Sequence, residues 1–186
     1  TMYQLTEEEA ATIDEYTRQL SEKLLTAVGQ ALQDMRPAQL KLGHGKADFA
    51  VNRREKRGDG VVLGVNPSGP SDHDVPVLTV SGPDGKLRAI LFGYACHNTT
   101  IGGTTGDDFY KIHGDYAGVA QAELESAHPE VTAMFTILCG ADQNPNPRGA
   151  VDYVVQHGKS LAQAVEQVLQ GPMREIKSPI RGAVGH

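Results

Sequence analysis

Two short stretches of this 186-residue chain hold the residue types that do chemistry. One is Ala95-Cys96-His97-Asn98-Thr99-Thr100-Ile101-Gly102-Gly103, running on to His113-Gly114-Asp115, and the other is Cys139-Gly140-Ala141-Asp142-Gln143-Asn144-Pro145-Asn146-Pro147. Neutral imidazole is the commonest metal ligand, and a metal site needs polar neighbours to hold the ring in one tautomer. His97, followed by Asn98, Thr99 and Thr100 with Gly102 and Gly103 leaving room, meets that need. A hydrogen-bonded structural histidine explains His97 by itself equally well, and its polar company favours the ligand reading. His113 and Asp115 can join the group, although helix capping accounts for Asp115 just as well. In the second stretch, proline at alternate positions holds the backbone extended and fixes the directions of Asp142, Asn144 and Asn146. Such rigidity suits oxyanion or substrate contacts, and a stiff loop entering a helix explains the same residues structurally. No Gly-rich phosphate loop, serine elbow or helix-spaced pair of zinc-binding histidines occurs.

The elements that must position these residues are legible around them. Apolar runs from Leu87 to Tyr94 and from Val131 to Leu138 lead into the two stretches and read as buried strands. Ligands in open α/β sheets bind beyond the carboxyl ends of the strands, so the two loops are expected to share one site. Val75 to Val80 and Leu87 to Tyr94 flank a Pro83-Asp84-Gly85 turn, which predicts a β-hairpin whose second strand is central and covered on both faces. Asp115 is expected to cap a helix with the stripe Tyr116, Val119, Ala120 and Leu124, ended by Pro129. A further helix over 151–169 turns Val154, Val155, Leu161, Val165 and Val168 inward, and residues 173–184 read as a last strand.

Upstream, Thr6 and Glu9 form a capping box, and Ile13, Tyr16, Leu20, Leu24, Val28, Leu32 and Met35 make one helical stripe. Residues 7–35 are thus a long amphipathic helix, stopped by Pro37 and expected to pack on a sheet. From Ala38 to Val51 short strands meet at a bend marked by glycines 43 and 45, with His44 as a turn residue. Residues 55 to 74 read as an extended loop, and Asp72-His73-Asp74 as a turn with local hydrogen bonds instead of a metal site. The fold class is α/β: a mixed sheet with a right-handed βαβ unit, flanking helices and the long N-terminal helix.

Length fits a single domain over 1–186 and is also compatible with part of a larger one. The net charge of −6 argues against a nucleic-acid partner, which would need a basic face. Arg53, Arg54, Lys56 and Arg57, diluted by Glu55 and Asp59, read as a solvated loop. No apolar run approaches the roughly 18 residues of a transmembrane segment, and the first residues lack signal-peptide character. Cys96 and Cys139, at the ends of two apolar strands, suit buried thiols, with a disulfide as the minority reading.

Tyr94-Ala95-Cys96-His97-Asn98-Thr99-Thr100, then Gly114-Asp115-Tyr116-Ala117-Gly118, then Gly140-Ala141-Asp142-Gln143-Asn144-Pro145-Asn146 resemble the neutral/alkaline non-lysosomal ceramidase family in motif and order. Asn52-Arg53-Arg54 and the long first helix look like that family too. The resemblance implies a zinc-dependent amidohydrolase that cleaves the N-acyl bond of ceramide or a related lipid amide. It places His97 as a zinc ligand, Asp142 and Asn144 at the catalytic loop, and Asn98, Asn146 and Arg53 at the substrate. The family's other ligands, a histidine from an upstream His-x-His segment and a downstream glutamate and tyrosine, have no match here. The chain is therefore expected to be an internal segment of a catalytic domain, inactive alone and prone to self-association. The resemblance is compatible with a secreted or periplasmic setting. Where the family's loop carries a serine implicated in catalysis, this chain has Asn144, and Ala141 replaces the glycine before the aspartate. Asparagine donates hydrogen bonds but is no nucleophile. A hydrolase of a different amide or ester, and a non-catalytic binding module of the same fold, are the alternatives.

Overall fold

The computed structural model describes residues 4–102, 112–177 and 179, in two compact units, Thr1–Pro37 and Ala38–His186. The first unit is the helix α1, Glu7–Gln33. Its start follows from the capping box: the Thr6 hydroxyl accepts from the Glu9 amide at 3.2 Å, and the Glu9 carboxylate accepts from the Thr6 amide at 2.8 Å. Arg18 bridges Glu15 and Glu22 one turn to either side, both at 2.6 Å. No residue of α1 is buried.

The second unit is built on two sheets. Its strands are β1 (Gln39–Lys46), β2 (Ala50–Arg57), β3 (Gly60–Asn66), β4 (Asp74–Ser81), β5 (Leu87–Tyr94), β6 (Thr132–Ile137), β7 (Gln143–Pro145) and β8 (Arg174–Ile176). Its helices are α2 (Asp115–Ala127) and α3 (Val151–Gln170). The larger sheet runs β6-β5-β4-β1-β8 and the smaller β3-β2-β7. Among the described residues only β5 and β6 pair in parallel, so β5-α2-β6 is the expected βαβ unit in a mixed sheet. The hairpin β4–β5 forms as the Pro-Asp-Gly turn predicts, with Gly85 at φ 75°. Helices α2 and α3 pack together, and α3 lies on β1. Gly43 and Gly45 explain that last contact: a Cβ at Gly45 would meet Val168 at 2.8 Å and the Ala164 carbonyl at 2.9 Å. They are bare strand positions under a helix, where the sequence suggested a bend.

The core gathers Phe49, Tyr94 and Tyr116 with Ile90, Phe92, Leu161 and Val165. Phe49 is its aromatic centre, 4.7 Å from Tyr94, 5.0 Å from Tyr116 and stacked on His157 at 4.5 Å.

Several expectations are corrected by sheet order. The supposed loop 55–74 contains the rest of β2 and all of β3. Glycines flank the apolar run of β3 and disguised it, and pairing with β2 decides the outcome. His44 is a strand residue opposite Pro76, its Nδ1 2.8 Å from Asp74. The run 131–138 yields β6 at the end of the large sheet, with Thr132, Met134, Thr136 and Ile137 exposed where a buried strand was expected. Cys139 just beyond it is exposed as well, while Cys96 is buried, and both thiols are free. Val155 lies on the outer side of α3, 38% exposed. The last strand is short, Arg174–Ile176, and residues 178 and 180–184 of the expected 173–184 lie outside the described residues. Among the described residues, no helix is long and apolar enough to cross a membrane.

Candidate functional site

β5 ends at Tyr94 and delivers His97 half-buried, where the second polar loop meets it. The His97 amide donates to the Gln143 carbonyl at 3.1 Å, and its Nδ1 lies 2.9 Å from the Gly140 carbonyl and 3.0 Å from that of Gln143. Carbonyls only accept, so Nδ1 carries a hydrogen. Close approach of the loops requires Gly140: a Cβ there would sit 2.4 Å from the Cys96 nitrogen. The two loops thus meet beyond the strand ends.

β7 brings the second loop onto β2, pairing Val51 with Asn144 and Asn52 with Gln143. Asn144 is 5% exposed, and its Oδ1 lies 3.5 Å from Arg53 Nη1, a long hydrogen bond. Asp142 accepts from Asn52 Nδ2 at 3.1 Å, and its carbonyl accepts from the Arg53 amide at 2.8 Å. Asn98 and Asn146 are exposed, and the Asn146 amide donates to the Phe49 carbonyl at 2.9 Å. Asn146 also lines an open cleft of about 400 Å³ with Phe49, Ser71 and His73, which His97 and Asn144 do not line. Hydrogen bonding, not that cleft, locates the site.

Asp115 does not cap α2. Gly114 holds the cap position with no side-chain bond, and Asp115 opens the helix in a left-handed conformation, φ 51°. Its carboxylate is 3% exposed and accepts from the Tyr116 amide at 2.7 Å and the Ile101 amide at 3.2 Å, tying the His97 loop to α2. His113 is exposed, and Gly103 lies outside the described residues. The room expected beside Gly102 is taken by Arg148: a Cβ there would lie 2.3 Å from its Nη2. Burial pushes the Cys96 thiol up to about 12, and it raises the Tyr94 and Tyr116 hydroxyls above the ordinary tyrosine range. All three are therefore protonated supports beneath the site.

The fold has solved counterparts. A neutral ceramidase from Pseudomonas aeruginosa superposes with a TM-score of 0.63 at 16% identity, covering 82% of this chain and 26% of that one. A ceramidase complexed with C2 gives 0.59 at 16% identity, covering 77% and 24%. This is a ceramidase-like fold. The chain spans about a quarter of the length of those ceramidases. No family model and no curated protein matches the sequence.

Within the ceramidase-like fold, His97 fits a metal: metal-bound histidines anchor one ring nitrogen on a carbonyl and offer the other. Among the described residues no three His, Cys, Asp or Glu side chains converge, whereas a catalytic zinc draws three protein ligands. Asp115 in particular spends its carboxylate on two amides. The described residues by themselves therefore do not make up a zinc site.

Sequence reasoning missed three supports. Asn52, 3% exposed, holds Asp142 and the Pro70 carbonyl, the latter at 3.0 Å. Gln143, 2% exposed, accepts from the Asp72 amide at 2.7 Å. His157 Nε2 lies 2.8 Å from the Pro147 carbonyl. His157 was findable, because it falls within the inward stripe of α3 between Val154 and Leu161; a stripe read from apolar residues alone passes over it.

Proposed function

We propose that this chain belongs to a ceramidase-like hydrolase that cleaves an N-acyl amide bond, that of ceramide or a related lipid amide. One observation carries the reading: His97 Nδ1 is held by two carbonyl anchors on the same loop that buries Asn144 beside Arg53. His97 would hold zinc as one of its ligands, and zinc when bound supplies a water acidified to a pKa of about 7 and a Lewis acid for the carbonyl. Arg53 engages Asn144 Oδ1, which leaves the Nδ2 hydrogens as donors toward a substrate carbonyl or its oxyanion. Asp142, fixed by Asn52, holds the loop in register. Asn98 and Asn146, exposed on either loop, are the polar contacts for the substrate's head. Asn144 offers no nucleophile, so attack falls to water, and this favours lipid amides beyond ceramide as substrates.

The test uses the full protein that contains this sequence, with zinc supplied and a fluorogenic N-acyl-sphingosine as substrate. His97→Ala should lower zinc stoichiometry and abolish turnover, and Asn144→Ala should cost roughly 10²-fold, the loss typical of one oxyanion donor. Asn144→Ser should raise turnover of ceramide if this position sets substrate choice. Unchanged zinc content in His97→Ala, or equal activity in all variants, would sink the reading.

A further inference from the structure

The hairpin β2–β3 leaves the site and ends in a two-residue turn at Gly58 and Asp59, with Gly58 at φ 59°. Opposite residues of an antiparallel pair share a face. Arg54 pairs with Leu63 and Lys56 with Val61, so these four lie together on one face, up to the irregularity that shifts the register between Arg54 and Asn52. Val61 is 60% exposed and Leu63 68%. Neither the Arg54 guanidinium nor the Lys56 ammonium makes a hydrogen bond or ion pair among the described residues. The other face is different: Glu55 and Arg57 neutralise each other there at 3.0 Å. Four basic against two acidic residues over 53–59 give this hairpin a positive surplus in a chain whose net charge is −6.

We propose that this face of the β2–β3 hairpin docks on an anionic lipid surface, with Val61 and Leu63 entering the interface and Arg54 and Lys56 meeting lipid phosphates. Aliphatic side chains beside uncompensated cations match the two layers of a bilayer interface, apolar beneath and anionic above. A soluble protein partner would have to match both the apolar row and the bare cations, and a second copy of the chain would bring like charges together. The strand that docks is also the one whose Val51 pairs with Asn144, so bound lipid would lie at the approach to the polar loops. The proposal stands apart from amide hydrolysis, because its test reads binding and no turnover.

The chain has no tryptophan, so Leu63→Trp gives a single reporter, with Met134→Trp on the exposed side of β6 as control. With vesicles of phosphatidylcholine and phosphatidylserine, Leu63→Trp should show a blue-shifted emission and Met134→Trp none. In sedimentation, Arg54→Gln with Lys56→Gln should weaken binding about 30-fold, and added salt should weaken the unaltered chain. Leu63→Asp should weaken it at least about 10-fold while circular dichroism stays unchanged, since the side chain is solvent-exposed. The separate helix α1 is unaltered in every variant, so it cannot produce these differences. Sedimentation of Leu63→Asp equal to the unaltered chain, or no emission shift at position 63, would overturn the proposal. So would a concentration-dependent dimer abolished by Leu63→Asp without any vesicle binding, which would assign the face to a second copy.

Discussion

Cys96 and Cys139 look equivalent in sequence, each closing an apolar strand, yet one is sealed and the other open. Local pattern cannot distinguish them, because exposure depends on which strand ends the sheet. Reaction with a thiol reagent should therefore reach Cys139 at neutral pH and leave Cys96 unmodified until the chain unfolds; labelling of both at one rate would contradict the structure. Cys96 also sets a pH limit. Its thiol is held at about 12, above the ordinary 9.0, chiefly by burial, so the unfolded chain gives up its proton first. The stability this contributes is complete below about pH 9 and drains away toward about pH 12, at about 1.4 kcal/mol per pH unit for one group. Tyr94 and Tyr116, raised in the same way, steepen the loss. Denaturant midpoints measured across this range should fall, and a flat profile would mean that these groups are not buried.

At the scale of elements, what was legible was what local pattern encodes. The capping box of α1, the β4–β5 turn and the stripe of α3 each depend on residues close in sequence, and each forms. What failed depended on distant partners: β3 exists because β2 lies beside it, and Asp115 is claimed by the Ile101 amide before it can cap α2. The site was legible to the same degree. Two strand ends announced two loops, but the anchors Asn52, Gln143 and His157 act across long sequence gaps and carried little signal. Gly140 is where the loops depend on each other most. Gly140→Ala should destabilise the chain by about 1–3 kcal/mol, since the added carbon must push apart two backbones. Thermal or urea unfolding measures this, and a neutral result would show that the approach is looser than described.

At the scale of the whole molecule, the chain spans about a quarter of the length of the ceramidases it superposes on, and it offers one anchored imidazole to the proposed zinc. Zinc titrated calorimetrically into this chain alone should bind weakly and without amidase turnover, as a lone ligand allows. Tight one-to-one binding with turnover would overturn the ligand assignment and show that this chain is sufficient by itself.

The Tyr94 hydroxyl donates to the Ala47 carbonyl at 2.8 Å and accepts from the Ala50 amide at 3.1 Å. Those two residues bracket the corner where the chain leaves the large sheet and enters the small one. His97 follows β5 of the first sheet and Asn144 lies in β7 of the second, so the Tyr94 phenol acts as a strut between the two sheets, beside the direct bonds of His97 to the second loop. Tyr94→Phe would strand a buried amide and carbonyl at that corner, at about 1–3 kcal/mol, while leaving each sheet's own ladder intact. The failure would then be one of carpentry: sound panels, a loose joint, and two loops no longer facing each other. Amide exchange should show it as faster exchange at Ala50 with protection within β4 and β5 retained.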